Sequence, residues 1–181
     1  GSIASGGVTD DNTPTLSGQG TPGDTITITD GGTPIGTAIV DGSGNWTFTP
    51  DTPLADGEHD LAVTATDPAG NVSAPSVAYP IIVDTTAEIE GAPLLTDDVG
   101  KVTGTIASGD TTDDNLPDYS GKTEPGAEVI IRDNGAEIGR VTADDAGNWS
   151  FTPETPLADG EHSFTAQPVD AAGNVGDESA P

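Results

Sequence analysis

Seven aspartates are the side chains of this sequence best placed to do chemistry: Asp10, Asp11, Asp30, Asp84, Asp97, Asp98 and Asp170. Each offers a hard anionic oxygen. Ca²⁺ takes roughly six to eight such oxygens in flexible geometry, from Asp, Asn and backbone carbonyls. Two carboxylates about 4 Å apart repel by about 4 kcal/mol at an effective dielectric near 20, so facing acidic loops separate unless a cation joins them. The arrangement is not an EF-hand, because no D-x-[DN]-x-[DN]-G loop with a closing Glu occurs, and no glycine-rich nonapeptide repeat is present either. The competing reading takes each Asp or Asn as a turn former that bonds its own backbone.

Other reactive residue types carry less. There is no cysteine, hence neither a disulfide framework nor a thiolate site. His59 and His162 are the only histidines, each follows Asp-Gly-Glu, and an isolated recurrent imidazole reads as a turn or packing residue. Serines are plentiful, but none sits in a nucleophile-elbow context with a base nearby, so the chain reads as non-enzymatic. The sequons at Asn45, Asn71 and Asn148 are taken as accidental, since two of them coincide with a tryptophan expected in the core.

Net charge excludes whole classes of partner. With 31 acidic residues against 4 basic ones, approach to nucleic acid or an anionic membrane surface is repulsive. No apolar run is long enough to span a bilayer. Only 32% of residues are apolar and 4% aromatic at a formal charge of -27, close to the compositional border of disorder. A sparse, well-patterned core and bound cations must offset that charge.

The elements that position the aspartates come twice. Thr9-Asp10-Asp11-Asn12 aligns with Thr112-Asp113-Asp114-Asn115 at an offset of 103, and the run Thr52 to His59 recurs unchanged from Thr155 to His162. Gly44-Asn45-Trp46 meets Gly147-Asn148-Trp149 in the same register, so the chain is a tandem duplication. The frame is out of phase: copy one lacks an equivalent of Leu94 to Thr103, and copy two shows none of Tyr79 to Asp84. The expected domains are therefore 1–84, with its first strand truncated, and 85–181, with its last strand truncated.

Within a copy, Ile26 and Ile28 alternate with Thr25, Thr27 and Thr29, and Trp46 and Phe48 alternate with Thr47 and Thr49. Period-two alternation between Gly- and Pro-rich turns predicts strands, here around 100–107, 14–20, 24–29, 34–40, 45–49, 58–67 and 75–83. Seven short strands in about 95 residues predict an all-β, immunoglobulin-like sandwich, twice over. Trp46 and Trp149 are the expected core anchors. Successive loops alternate between the two ends of such a sandwich. Asp10, Asp11, Asp30 and Asp84 are then expected at the end of copy one nearest copy two. Asp97, Asp98, the Asp144-Asp145 turn and Asp170 are expected at the facing end of copy two. Asp41 and Asp67, and Asp113, Asp114 and Asp133, fall at the outer ends.

The phrases Thr-Asp-Asp-Asn-x-Pro, Asp-x-x-Gly-Asn-Trp-x-Phe-Thr-Pro, Pro-Leu-Ala-Asp-Gly-Glu-His and Asp-x-Ala-Gly-Asn resemble the bacterial Ig-like repeats of giant type I-secreted adhesins and biofilm-associated proteins. The resemblance implies an extracellular stalk of many units on a Gram-negative cell surface, with Ca²⁺ between units and a host or biofilm ligand bound elsewhere in the parent. The units would be monomeric and contact neighbouring repeats of the same chain. It also implies that Asp10, Asp11, Asp84, Asp97, Asp98 and Asp170 serve between domains. One departure is Ala87 to Leu95, more acidic and less proline-rich than the usual linker. The alternatives are an Ig-like module that itself binds carbohydrate or protein, which an exposed Tyr79 or Tyr119 beside a groove would favour, and an accessory module of a secreted hydrolase.

Overall fold

Alternating sequence becomes strand in both copies. A computed structural model describes residues 1–101 and 103–181; Val102, inside the strand expected over 100–107, lies outside the described residues. The chain separates into two units, Gly1–Thr85 and Thr86–Pro181.

The first unit contains β1 (Val8–Thr9), β2 (Leu16–Gln19), β3 (Thr25–Asp30), β4 (Thr33–Ile39), β5 (Asn45–Phe48), β6 (Gly57–Thr66) and β7 (Tyr79–Val83). They form a sheet in the order β1-β7-β6-β3-β4 and a second sheet of β2 and β5. All pairs are antiparallel except β1 with β7, which run parallel with Val8 opposite Ile82. The apolar faces meet as two clusters, Ile26, Ile28, Val40 and Trp46 in one, and Leu54, Leu61, Ile81 and Val83 in the other.

The second unit contains β8 (Leu94–Asp97), β9 (Gly104–Ile106), β10 (Asp118–Lys122), β11 (Glu128–Asp133), β12 (Ala136–Thr142), β13 (Asn148–Phe151) and β14 (Phe164–Val169). Its sheets are β13-β10-β8-β9 and β12-β11-β14. One cluster joins them, built on Tyr119, Val129, Ile131, Trp149, Phe151 and Phe164. Both units are thus all-β sandwiches of the immunoglobulin-like class.

Tryptophan burial explains two glycines. Gly18 faces Trp46 across the β2–β5 ladder, and Gly121 faces Trp149 across β10–β13. A Cβ on either would stand 2.7 or 2.6 Å from the indole Cζ2. Only a residue without a side chain lets each ring lie flat on the neighbouring strand.

The strand expected over 75–83 is hydrogen-bonded as a ladder only from Tyr79 onwards. Before it, the Ser73 and Ser76 N–H groups donate to the Ala65 and Val63 carbonyls, both at 2.9 Å, while their hydroxyls accept the N–H groups of Ala65 and Val63 at 3.0 and 3.1 Å. Serine side chains thus take the β6 N–H groups that a regular ladder would pair with backbone carbonyls. β8, whose first two residues close the linker-like stretch Ala87 to Leu95, is not among the expected strands.

Candidate metal centre

Each aspartate is positioned by the strand that ends beside it. In the first unit Val83 lies opposite Gly57 on one side and Thr9 on the other, and the Asp84 N–H donates to the Thr9 carbonyl at 2.9 Å. Asp10, Asp11 and Asp84 therefore share one end of that unit, the first two exposed and the third half-buried. Asp11 also closes a local turn, its Oδ1 accepting the Thr13 N–H at 3.0 Å.

Asp30 lies at the same end but lower on the sheet. It pairs with Leu61, four residues along β6 from Gly57, roughly 13 Å at strand rise. Its two oxygens are engaged, Oδ2 with His59 Nδ1 at 2.7 Å and Oδ1 with the Asp60 N–H at 3.1 Å. The structure gives this carboxylate to its own histidine. The second unit repeats the motif: His162 Nδ1 meets Asp133 Oδ2 at 2.6 Å and Nε2 meets the Ala158 carbonyl at 2.8 Å. In both copies one ring nitrogen faces a carboxylate and the other a carbonyl, an environment that only the doubly protonated ring fits on both sides. Burial works against the charge on His59, but the Ala55 carbonyl and Asp30 outweigh it and raise the ring above the ordinary imidazole value. For His162 the Ala158 carbonyl and then Asp133 raise it.

In the second unit the chain comes in along β10. Ile89 bridges Thr123, the Thr123 hydroxyl donates to the Glu88 carbonyl at 2.6 Å, and Ala87 is buried. Glu128 lies opposite both Thr142 and Val169, so the 124–127 turn, the Asp144 turn and the Asp170 loop all sit at this incoming end. Asp170 is 8% exposed. Its Oδ1 accepts the N–H groups of Gly173 and Asn174 at 2.7 and 2.8 Å, and its Oδ2 accepts Asn174 Nδ2 at 2.6 Å. Glu124 brings a carboxylate oxygen to within 4.8 Å of one on Asp170. Glu124 was absent from the expected set. It sits where copy one has Thr21, so no repeated acidic position points to it.

Asp97 and Asp98 correct the expectation. They do not lie with Asp170 but at the opposite end of the second unit. β8 runs antiparallel to β10 with Leu94 opposite Ser120 and Thr96 opposite Asp118. The incoming chain therefore crosses the whole sandwich before reaching them. There Asp97, 6% exposed, accepts the Thr112 hydroxyl at 2.5 Å and the Val99 N–H at 3.0 Å. Asp114 accepts the Leu116 N–H at 2.8 Å.

The turn-former role is filled by the aspartates of all four Asp-x-x-Gly-Asn turns, Asp170 among them. Asp41 accepts the N–H groups of Asn45 and Ser43, Asp67 bonds the side chain and N–H of Asn71, and Asp144 accepts the N–H groups of Asn148 and Ala146. Donation to the ionised form holds all three below the ordinary aspartate value. As chemistry, the donors gathered with Asp84 in one unit and with Asp170 in the other are carboxylate and carbonyl oxygen, without sulfur or imidazole. That set suits a hard cation such as Ca²⁺ and disfavours zinc or copper. Tyr79 is 46% exposed, with its hydroxyl donating to the Ile3 carbonyl at 2.8 Å; Tyr119 is buried.

Comparison with known proteins gives the fold a family. No curated protein matches the chain. Among solved structures it is similar to the fibronectin(III)-like modules of CbhA from Clostridium thermocellum at 13% identity, covering 98% of this chain and 87% of that one with a TM-score of 0.36. It is also similar to the BSP domain of a biofilm associated protein at 21% identity, 96% and 28% coverage and a TM-score of 0.33. A third is dimeric latent PorU from Porphyromonas gingivalis at 14% identity, 98% and 18% coverage and a TM-score of 0.32. The chain thus spans under a third of the length of the last two. The sequence pattern of the bacterial Ig-like domain matches residues 1–85 and again 89–180, and the chain belongs to that family, with one member in each unit.

Proposed function

We propose that this chain is a length of extracellular stalk from a bacterial surface adhesin, whose units act as spacers and are stiffened by Ca²⁺ where one unit leads into the next. In that role it supports cell adhesion and biofilm formation and carries no catalytic activity. The observation that carries the reading is the carboxylate pair Glu124 and Asp170 at the incoming end of the second unit. Two anions held that close favour a cation between them. Only Thr85 and Thr86 separate Asp84 from Ala87, a reach of roughly 10 Å at most for an extended chain. Asp84 would supply the first unit's carboxylate. Asp10 and Asp11, at the Asp84 end of their own unit, would complete the oxygen set. When bound, the cation would neutralise the acidic rims and fix the joint. Asp97 and Asp98, at the outer end of the second unit, would serve a following junction instead.

Small-angle scattering of the chain in excess chelator and then in millimolar Ca²⁺, with a thermal melt on each sample, tests this. The expected result is a narrower distribution of maximum dimensions and a higher melting temperature with Ca²⁺. If neither changes, the aspartates are turn formers and solubilising charge only.

A further inference from the structure

The hairpin that joins β11 to β12 turns on a pair of residues that the first unit lacks. Asp133 lies opposite Ala136 in the ladder, so Asn134 and Gly135 form a two-residue loop outside it. Their φ values are 49° and 77°, the left-handed pair that so tight a hairpin requires. Glycine takes that conformation at little cost, and asparagine is among the few other residues that tolerate it. Copy one has Gly31 and Gly32 at these places. Asn134 is the one described non-glycine residue with positive φ, and its side chain serves more than the turn.

That side chain ties the hairpin to the segment before β14. Asn134 Nδ2 donates to the Glu161 carbonyl and the Asn134 backbone N–H to the Ser163 carbonyl, both at 3.0 Å. In the first unit the Gly31 N–H donates to the Asp60 carbonyl at 3.1 Å, and glycine has no side chain to add a second bond. Asn134 and Gly135 are exposed, so water reaches the amide. The following residue sets what chemistry is open to it. Of the seven asparagines, six precede Thr13, Trp46, Val72, Leu116, Trp149 and Val175, whose side chains crowd the approach of the next backbone nitrogen to the asparagine Cγ. Asn134 alone precedes glycine, whose nitrogen carries no such neighbour.

We infer that Asn134 is a site of self-modification: the Gly135 backbone nitrogen displaces the Asn134 side-chain amide, and the product releases residues 161–163 from the hairpin. The Gly135 nitrogen gives its proton to solvent hydroxide and attacks Asn134 Cγ, forming the N–Cγ bond. The Cγ–Nδ2 bond then breaks, and ammonia leaves with a proton taken from water. Water opens the resulting five-membered imide at one of its two carbonyls, leaving aspartate or its β-linked isomer at this position. Either product puts a carboxylate, which only accepts, where Nδ2 had donated to the Glu161 carbonyl. The new anion also adjoins Asp133 in the chain, and like charges so close repel. The β-linked isomer adds a backbone carbon to the two-residue loop and so disturbs the bond to Ser163 as well. None of these steps involves a bound cation.

The test keeps the full chain in mildly alkaline buffer at body temperature beside the free peptide of residues 130–137. Both are sampled at intervals by peptide-mapping mass spectrometry, and the chain also by amide hydrogen exchange. The mass gain of an amide-to-acid change is expected at position 134, with the β-linked form in the mixture, before it appears at any of the other six asparagines. As conversion proceeds, exchange at 161–163 should quicken about tenfold or more, while exchange at 58–60 in the first unit stays as it was. Asn134→Asp should show the faster exchange from the outset. Asn134→Gly, which restores the residue of copy one, should show no mass gain in that stretch. If the free peptide converts fully and the chain gains nothing at 134, the hairpin shields the amide and the assignment falls. A mass gain at 134 with exchange at 161–163 unchanged would overturn the release.

Discussion

Replacing Glu124 by Gln should have opposite effects with and without Ca²⁺. Its carboxylate lies within 4.8 Å of that of Asp170. At that separation two unit charges repel by about 3.5 kcal/mol at an effective dielectric near 20 and by about 0.9 kcal/mol in bulk water. Asp170 is buried and Glu124 half-buried, so solvent screening leaves about 1–2 kcal/mol as the relief on removing one charge. In a unit of this size about 1 kcal/mol moves the melting temperature by roughly 4–8 °C. In chelator Glu124→Gln should therefore melt higher than the parent by about that much or twice it. In millimolar Ca²⁺ the order should reverse, because the variant loses an anionic ligand and with it part of the stabilisation that binding confers. Glu124 is the better probe because Asp170 also holds the N–H groups of Gly173 and Asn174, so Asp170→Asn would disturb the turn as well. Scanning calorimetry of both proteins in both buffers decides. A variant that melts lower in chelator shows that the pair is not repelling, and one that melts higher in both buffers shows that no cation joins it.

Gly36→Ala would set a Cβ 2.2 Å from Phe48 Cε2, and overpacking of that kind costs about 1–3 kcal/mol; chemical denaturation should show the loss, and Phe48→Leu in the same chain should restore part of it. Trp149→Ala empties the centre of the second core and should cost about 3–5 kcal/mol, seen as early loss of the second unit's transition with the first intact. Both histidines are raised in the folded state. Their contribution is therefore complete below the ordinary imidazole value of about 6.5 and is lost as pH rises through the higher folded value. Melting temperature should fall across that window, and the double variant His59→Gln, His162→Gln should flatten the fall.

Much of this was legible in the sequence, because the fold is written in short-range patterns that occur twice. Threonine alternating with isoleucine from Thr25 to Thr29 can bury only one face. Trp46 and Trp149 could be placed in the cores because each is the largest apolar residue of a sparse strand set. What stayed hidden depends on direction and on distance along the chain. Asp97 and Asp98 were assigned to the wrong end because the incoming segment looked like linker; only its pairing with β10 shows that it crosses the sandwich first. Asp30 looked like a ligand until its partner was seen to be His59, 29 positions away. Glu124 escaped because it breaks the repeat, standing where the first copy has threonine. The same asymmetry bears on mechanism. Where the copies agree, as at the Asp-x-x-Gly-Asn turns and the Asp–His pairs, the shared residues build the unit. Where they differ, as at Glu124 against Thr21, the difference lies at an end of the sandwich. An end is a surface that a unit has left for contact once its core is closed.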